Sequence, residues 1–430
     1  MMMRKQCLML ALATIAALLT GCSSEKDNAV TNGGDTQQTQ LPDKLALSGK
    51  EVGFAQRTND FSFNMLRQLN GMYAEASLVS SPLSAACALG MLDNAADGEA
   101  RRQIEETLGF GSSDVQSVND YFYKLMVLAP QADASTKLSM ANAVYVNTPY
   151  ELLPAFVETL DCYYHADAAS LDFSDGASLG IINSWCARQT NGLISEMLKE
   201  LSPSAASILL NAIYFNGKWA APFNKEKTRQ AAFTTDGGVK RTVPMMSLTT
   251  ESADYYSDSD LQALRMAYGN GSYSMTVLLP KQGKTVGDIA AKLTPDMWNG
   301  LQAGLKTQAV AIDLPRFSVE TAGDDMEDLQ PVLRQMGIGG IFAQGGLPLM
   351  FKHDKNDAED AFVGKFCQKA RIDVTEEGTE GAAVTEVEIA EGEGDEGGSA
   401  VPLFIANHPF VYVISERTTG VIFFIGVYRG

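Results

Sequence analysis

KARIDVTEEGTEGAAVTEVEIAEGEGDEGGSAVPLFIANHPF, residues 369–410, is the stretch on which the reading of the whole chain turns. From Thr379 onward its side chains alternate. Thr379, Gly381, Ala383, Thr385, Val387 and Ile389 share one parity and are small or apolar, whereas Glu380, Ala382, Val384, Glu386 and Glu388 share the other, which is largely charged. A period of two with one apolar side belongs to a strand that buries one face, and a surface loop has no reason to keep it. Residues 391–399, EGEGDEGGS, then combine high backbone entropy with concentrated negative charge, the composition of an exposed, cuttable tip. The stretch therefore reads as a strand that is not yet in a sheet.

The chain around it has 430 residues, for which the length prior is about three domains, although single large mixed folds of this size exist. Its first 21 residues, MMMRKQCLMLALATIAALLTG, begin with basic Arg4 and Lys5 and continue through an apolar run at residues 8–19 that is too short to span a bilayer. With Cys22 next, this pattern is that of a secretory signal ending in a lipobox. A bacterial outer-membrane lipoprotein is expected, facing the cell surface or the periplasm, with Cys22 acylated as the first residue of the mature chain and a membrane held through that anchor. Loss of Arg4 and Lys5 takes the formal charge from −19 to −21, which disfavours nucleic acid as a partner. Residues 22–44 are polar and lack aromatic residues, so they are expected to act as a flexible tether. Cys87, Cys162, Cys186 and Cys367 are far apart and show no metal-ligand spacing; buried, inert thiols are expected, with no metal and no cofactor.

The globular body is expected from residue 45. Phe54, Phe61, Met65 and Leu69 recur at helical spacing. In SLVSSPLS, residues 77–84, Ser81 is placed to cap a helix whose first position is Pro82. A short helix ending at Gly109, a strand over 138–147, a helix over 153–165, a helix and turn at NSWCARQTNG (183–192) and a strand over 208–219 follow. That last strand, ILLNAIYFNGKW, is apolar on both parities, so it should be buried on both faces, and Asn211 within it must find a partner. Residues 264–268 and 273–279 flank GNGS as a hairpin. A strand over 310–319 is interrupted by Pro315, a helix is expected over 325–336, and residues 410–427 alternate strongly and carry FFIG near their end.

EEGTE at 376–380 followed by GAAV at 381–384, together with SPLS, the 183–192 segment, VPMM at 243–246 and FFIG, resembles the serpin family over residues 50–430, a single domain with several motifs in order. The resemblance implies an α+β serpin fold, helices around a large central mixed sheet with further sheets and an exposed reactive loop at about 376–404. It implies a hinge comprising Glu376, Glu377, Gly378, Thr379, Glu380, Gly381, Ala382, Ala383, Val384 and Thr385, and a sheet-opening region comprising Ser81, Ser84, Asn211 and Gln368. Gln368 stands where the family pattern has histidine; it can hydrogen-bond to Ser81 and Asn211 but does not titrate near neutrality. Gly381 stands where the family usually has alanine, at a cost of about 0.5–1 kcal/mol of strand stability.

The activity implied is that of a monomeric suicide-substrate inhibitor. A serine protease cleaves the loop, and the freed strand enters the central sheet before the acyl-enzyme is hydrolysed, a step that competes at about 1–1000 per second. Cysteine proteases also pass through an acyl-enzyme. The alternative is a non-inhibitory serpin-like binding protein whose loop is cut as a simple substrate. Counting from Gly378 places the scissile bond at Gly392-Glu393, and counting back from Pro409 places it at Gly398-Ser399. No Lys or Arg lies between Arg371 and Arg417, so elastase-like or Glu-preferring enzymes fit better than trypsin-like ones. The chain is not expected to be an enzyme: there is no G-x-S-x-G elbow, zinc helix or phosphate loop, and His408 suits packing better than base catalysis.

Overall fold

The computed structural model describes residues 45–111, 114–148, 150–321, 326–352, 362–379 and 401–430. Helix α1 (Gly49–Met72) is followed by β1 (Leu78–Ser80), α2 (Pro82–Asp93), helices Gly98–Leu108 and Val115–Leu128, β2 (Lys137–Asn147), helix Pro154–Tyr164, β3 (Asp167–Leu171), helix Gly176–Gln189 and β4 (Ser207–Lys218). Then come β5 (Arg229–Thr234), β6 (Lys240–Ser257), β7 (Leu261–Tyr268), β8 (Tyr273–Pro280), helices Val286–Lys292 and Pro295–Gly304, β9 (Lys306–Pro315) and β10 (Phe317–Glu320). The chain closes with helix Gln330–Gln335, β11 (Val363–Lys369), β12 (Arg371–Val374), β13 (Gly378–Thr379), β14 (Leu403–Ile405), β15 (Phe410–Glu416) and β16 (Ile422–Tyr428).

Two sheets organise these elements. One has nine strands in the order β1-β16-β15-β8-β7-β6-β9-β14, with β5 on β6; the other has seven, β10-β12-β13-β4-β2-β3, with β11 on β4. Local chemistry explains the pieces that matter. Helix α1 starts at a capping box of Ser48 and Glu51 and buries Phe54, Phe61, Met65 and Leu69. In β4 the odd residues Leu209, Ile213 and Phe215 enter the large core, while Ile208, Leu210 and Ala212 enter a smaller one with Trp185, Cys186 and Cys367. Both parities are therefore buried, as the doubly apolar sequence requires. The 310–319 strand is two strands in different sheets: after Pro315 the chain leaves β9 and enters β10.

Several expectations need correction. Ser81 precedes α2 but makes no side-chain cap, because its Oγ donates instead to Phe423 O at 2.7 Å. Of the expected helix over 325–336, only Gln330–Gln335 is helical among the described residues 326–336. Asp328 is instead bridged to Cys367, and its Oδ1 accepts from Gln330 N, so the helix starts later. The closing hairpin has no solvent-facing parity. Every residue of β15 and β16 is buried, and Phe317 of the other sheet stacks on Tyr428, meets Phe410 edge-on and lies tilted against Tyr412. Cys87, Cys186 and Cys367 are buried free thiols, but Cys162 is half-buried and disulfide-bonded.

Candidate functional site

The head of the seven-stranded sheet is where the 376–380 motif lies. Thr375 N donates to Gly378 O at 2.8 Å, a tight turn that reverses the chain out of β12. Gly378 and Thr379 then run back as β13, antiparallel to both neighbours: Thr379 faces Val374 of β12 on one side and Gly217 of β4 on the other. The strand expected to stand outside the sheet is thus already in it at Thr379, because that side chain is fully buried and hydrogen-bonded. Only glycine fits at 378, where a Cβ would lie 2.2 Å from Gly217 O. Among the described residues, no strand continues β13 further down the sheet. There β11 pairs directly and in parallel with β4, Gln368 opposite Asn211 and Lys369 opposite Ala212.

The turn is anchored from both sheets. Glu376 is 2 % exposed; its carboxylate accepts from Arg316, the residue at the crossing from β9 to β10, and from Thr228 Oγ1 at 2.6 Å. Burial works to raise the Glu376 pKa, but the Arg316 and Thr228 hydrogen bonds outweigh it and hold the carboxyl below its ordinary range. Phe223 N donates to Glu376 O, and Trp219 N donates to Glu377 O at 2.8 Å. Trp219 Nε1 donates to Thr375 O at 2.9 Å, and its ring stacks on Tyr268 with centroids 4.4 Å apart. Tyr268 Oη and Thr379 Oγ1 lie 2.5 Å apart, either hydroxyl being able to donate. Glu377 pairs on the surface with Lys225.

Lower in the sheet, the Gln368 amide uses all four of its hydrogen-bonding positions. Its Oε1 accepts from Ser80 Oγ at 2.8 Å and Ser81 N at 3.0 Å, and its Nε2 donates to Ser81 O at 2.8 Å and Asn211 Oδ1 at 2.9 Å. Asn211 Nδ2 donates to Asn142 Oδ1 and to Ser84 O, while the buried Ser84 hydroxyl has no partner. A neutral imidazole offers one donor and one acceptor and could not saturate this site. The network joins β11 to β4 and both to the start of α2.

The far end of α2 carries a poorly satisfied acid. The Asp93 side chain is 5 % exposed, its Oδ1 has no hydrogen-bond partner, and its nearest cation is Arg101 Nε at 3.9 Å. Burial pushes its pKa up to about 7, with Arg101 pulling down and Glu105 pushing up. The folded carboxyl thus keeps its proton where the unfolded chain, ordinary at about 3.9, has lost it. Folding takes up a proton between about pH 4 and pH 7, so this group's stability contribution is full below that window and is lost as pH rises through it. Asp93→Asn is expected to flatten the slope and to add a few kcal/mol at about pH 8. Urea unfolding across that range checks this; a slope identical to that of the parent would remove Asp93 as its source.

The structure thus brings Glu376, Glu377, Gly378 and Thr379 together at the sheet head, and Ser81, Ser84, Asn211 and Gln368 at the start of α2. Glu380, Gly381, Ala382, Ala383, Val384, Thr385, Gly392, Glu393 and Cys22 lie outside the described residues. Sequence reasoning missed Arg316, Thr228, Tyr268, Trp219 and Ser80. A buried glutamate demands a cation, and an arginine directly after the Pro315 break was the available signal; nothing in the sequence pairs Tyr268 with Thr379. His408 Nε2 donates to Pro280 O at 2.8 Å, a structural hydrogen bond. Among the described residues no cluster of His, Cys, Asp and Glu is placed to hold a metal.

Comparison with known proteins bears on this arrangement. Residues 56–429 match the family described as "Serpin (serine protease inhibitor)". The chain is 30% identical to neuroserpin of Gallus gallus over 380 residues, covering 85% of this chain and 89% of that one. It is also 30% identical to corticosteroid-binding globulin of Pongo abelii over 399 residues, covering 90% and 94%. The crystal structure of tengpin, a thermophilic serpin in the native state, superposes with a TM-score of 0.80 at 26% identity, covering 90% of this chain and 95% of that one.

Proposed function

The chain belongs to the serpin family, whose members are generally inhibitors of serine proteases rather than enzymes, and from that premise we propose that it traps serine endopeptidases by inserting its own cleaved loop between β4 and β11. One observation carries the reading: β13 is already antiparallel to β12 and β4 at the sheet head, while lower down β11, the strand that leads into β12, is parallel and bonded to β4. A third strand running antiparallel to both fits between them without reversing either. Continued in the register set by Thr379 opposite Gly217, the ribbon brings Thr385 opposite Asn211 and Gln368, and Ile389 opposite Ser207, where β4 begins. Its eleven residues make roughly 36 Å of strand, enough to carry an attached protease far from the loop.

Parity supports entry. Directly opposed residues in an antiparallel pair share a face, so Gly381, Ala383, Thr385, Val387 and Ile389 join Thr379 on the buried side and the glutamates face outward. The missing Lys and Arg between Arg371 and Arg417 direct attack to elastase-like or Glu-preferring enzymes. Display at a bacterial envelope through acylated Cys22 completes the proposal, supported by residues 1–22; fatty-acid labelling that survives Cys22→Ser would remove that part.

The test is a mixture of the full protein with an elastase-like protease on a denaturing gel. A boiling-resistant band at the summed mass is expected, together with a clipped form that melts well above the intact one. Clipped product alone, with an unchanged melting temperature, overturns inhibition in favour of a binding protein, the class to which the similar corticosteroid-binding globulin belongs by name.

A further inference from the structure

We propose that Tyr268 is a positioning residue that sets the register of the inserting strand, an inference that rests on the insertion reading above. Four observations converge on it. The Tyr268 ring is wholly buried and held flat against Trp219, at an interplanar angle of 13°, and Phe215 meets it edge-on with centroids 5.1 Å apart. Its hydroxyl is thereby aimed at one point, and Thr379 Oγ1 occupies that point at 2.5 Å. Gly217, the residue directly opposite Thr379, leaves the necessary space, because a Cβ there would stand 3.0 Å from the Tyr268 ring. Finally, Trp219 is tied by its own indole N–H to Thr375 O, so ring, turn and strand start form one unit.

A pin at this place matters because, beyond the two residues of β13, parity is all that the sequence of the ribbon offers as a guide. A slip of one residue would turn Glu380, Glu386 and Glu388 inward. Backbone bonding alone does not discriminate between registers two residues apart, since Thr379 and Gly381 are of the same parity and both small. A hydroxyl partner does, because among the inward positions of the hinge only Thr379 and Thr385 carry one, six residues apart. Burial pushes the Tyr268 phenol far above its ordinary pKa, so the pair stays neutral and its bond is not tuned by pH in the ordinary range.

The experiment compares the full-length protein with Tyr268→Phe, which keeps the stacking and loses only the hydroxyl, with Thr379→Val, and with Thr379→Ser, which restores a hydroxyl. Loss of one net hydrogen bond is expected to raise the moles of inhibitor consumed per mole of elastase-like protease by roughly two- to tenfold in the first two variants. The rate at which the loop is first cut stays unchanged, and Thr379→Ser returns most of the parental ratio. A merely structural tyrosine would lower the melting temperature without moving this partition. If the parent forms no protease complex, the insertion reading itself fails; hydrogen exchange of the intact protein then decides the pin, faster exchange at the Gly378 and Thr379 amides in Tyr268→Phe being the expected result. Unchanged partition in a parent that does form complex, or unchanged exchange, overturns the proposal.

Discussion

Thr379→Arg is expected to abolish the boiling-resistant protease complex while leaving loop cleavage at its parental rate. The native side chain is fully buried at the head of the sheet, against the ring of Tyr268. Those surroundings are aromatic, Trp219 and Phe215 among them, and the Thr379 hydroxyl is bonded to a neutral phenol. A guanidinium forced into this site loses its hydration without gaining a counter-ion, which costs several kcal/mol. The intact protein can relieve the penalty by releasing the two residues of β13 from the sheet head, whereas insertion of the cleaved ribbon requires residue 379 back between β12 and β4, so the penalty falls mainly on the inserted state. At 1.36 kcal/mol per tenfold, insertion slows by two orders of magnitude or more. Deacylation at about 1–1000 per second then finishes first, and the molecule is spent as a substrate. Gel analysis and the consumption ratio against an elastase-like protease report this directly. A complex formed at the parental ratio would mean that Thr379 need not be inside the sheet when the protease is trapped.

Much of the fold and of the site was legible, for reasons that differ from element to element. The double burial of β4 was visible because both of its parities are apolar, and the structure assigns each parity to its own core. The hairpin at 268–273 and the helix stop at Gly109 were visible through turn chemistry, Gly109 being left-handed at φ 71°. Ser81 misled because a serine before proline has the form of a cap, while the hydroxyl is drawn to Phe423 O by the tertiary fold. Thr379 misled in a more instructive way. Alternation announces a strand, but whether its first residue already sits in the sheet depends on a partner, Tyr268, that is 111 residues away. Arg316 was hidden likewise: its role depends on the chain crossing between sheets at Pro315, a tertiary event with no local pattern beyond the proline.

The second large effect concerns that crossing. Glu376→Lys places an ammonium where Arg316 now finds a carboxylate, leaving two facing cations in a site of which the glutamate side is 2 % exposed. Breaking a pair in which both partners are buried costs about 3–5 kcal/mol; the Arg316 side chain is 45 % exposed, so solvent screens part of that loss here, while reversal of the charge adds repulsion. Because Glu376 anchors the turn that returns Gly378 and Thr379 to the sheet, the loss is expected at the sheet head, and the intact protein should melt far below the parent. An open head with the ribbon unanchored also leaves a free strand edge, so self-association on warming is the accompanying outcome. Exchanging both charges, Glu376→Lys with Arg316→Glu, is expected to recover a large part of the stability, since the pair is restored in reverse. The acid side follows from the depressed Glu376 pKa: its contribution is complete above the ordinary carboxylate range and is lost as pH falls through the folded value. Thermal melts of the two single variants and the double variant close the cycle. If the double variant melts no higher than Glu376→Lys, the two side chains do not act as a pair, and the anchor of the turn must be sought in Thr228 and the backbone of Phe223 instead.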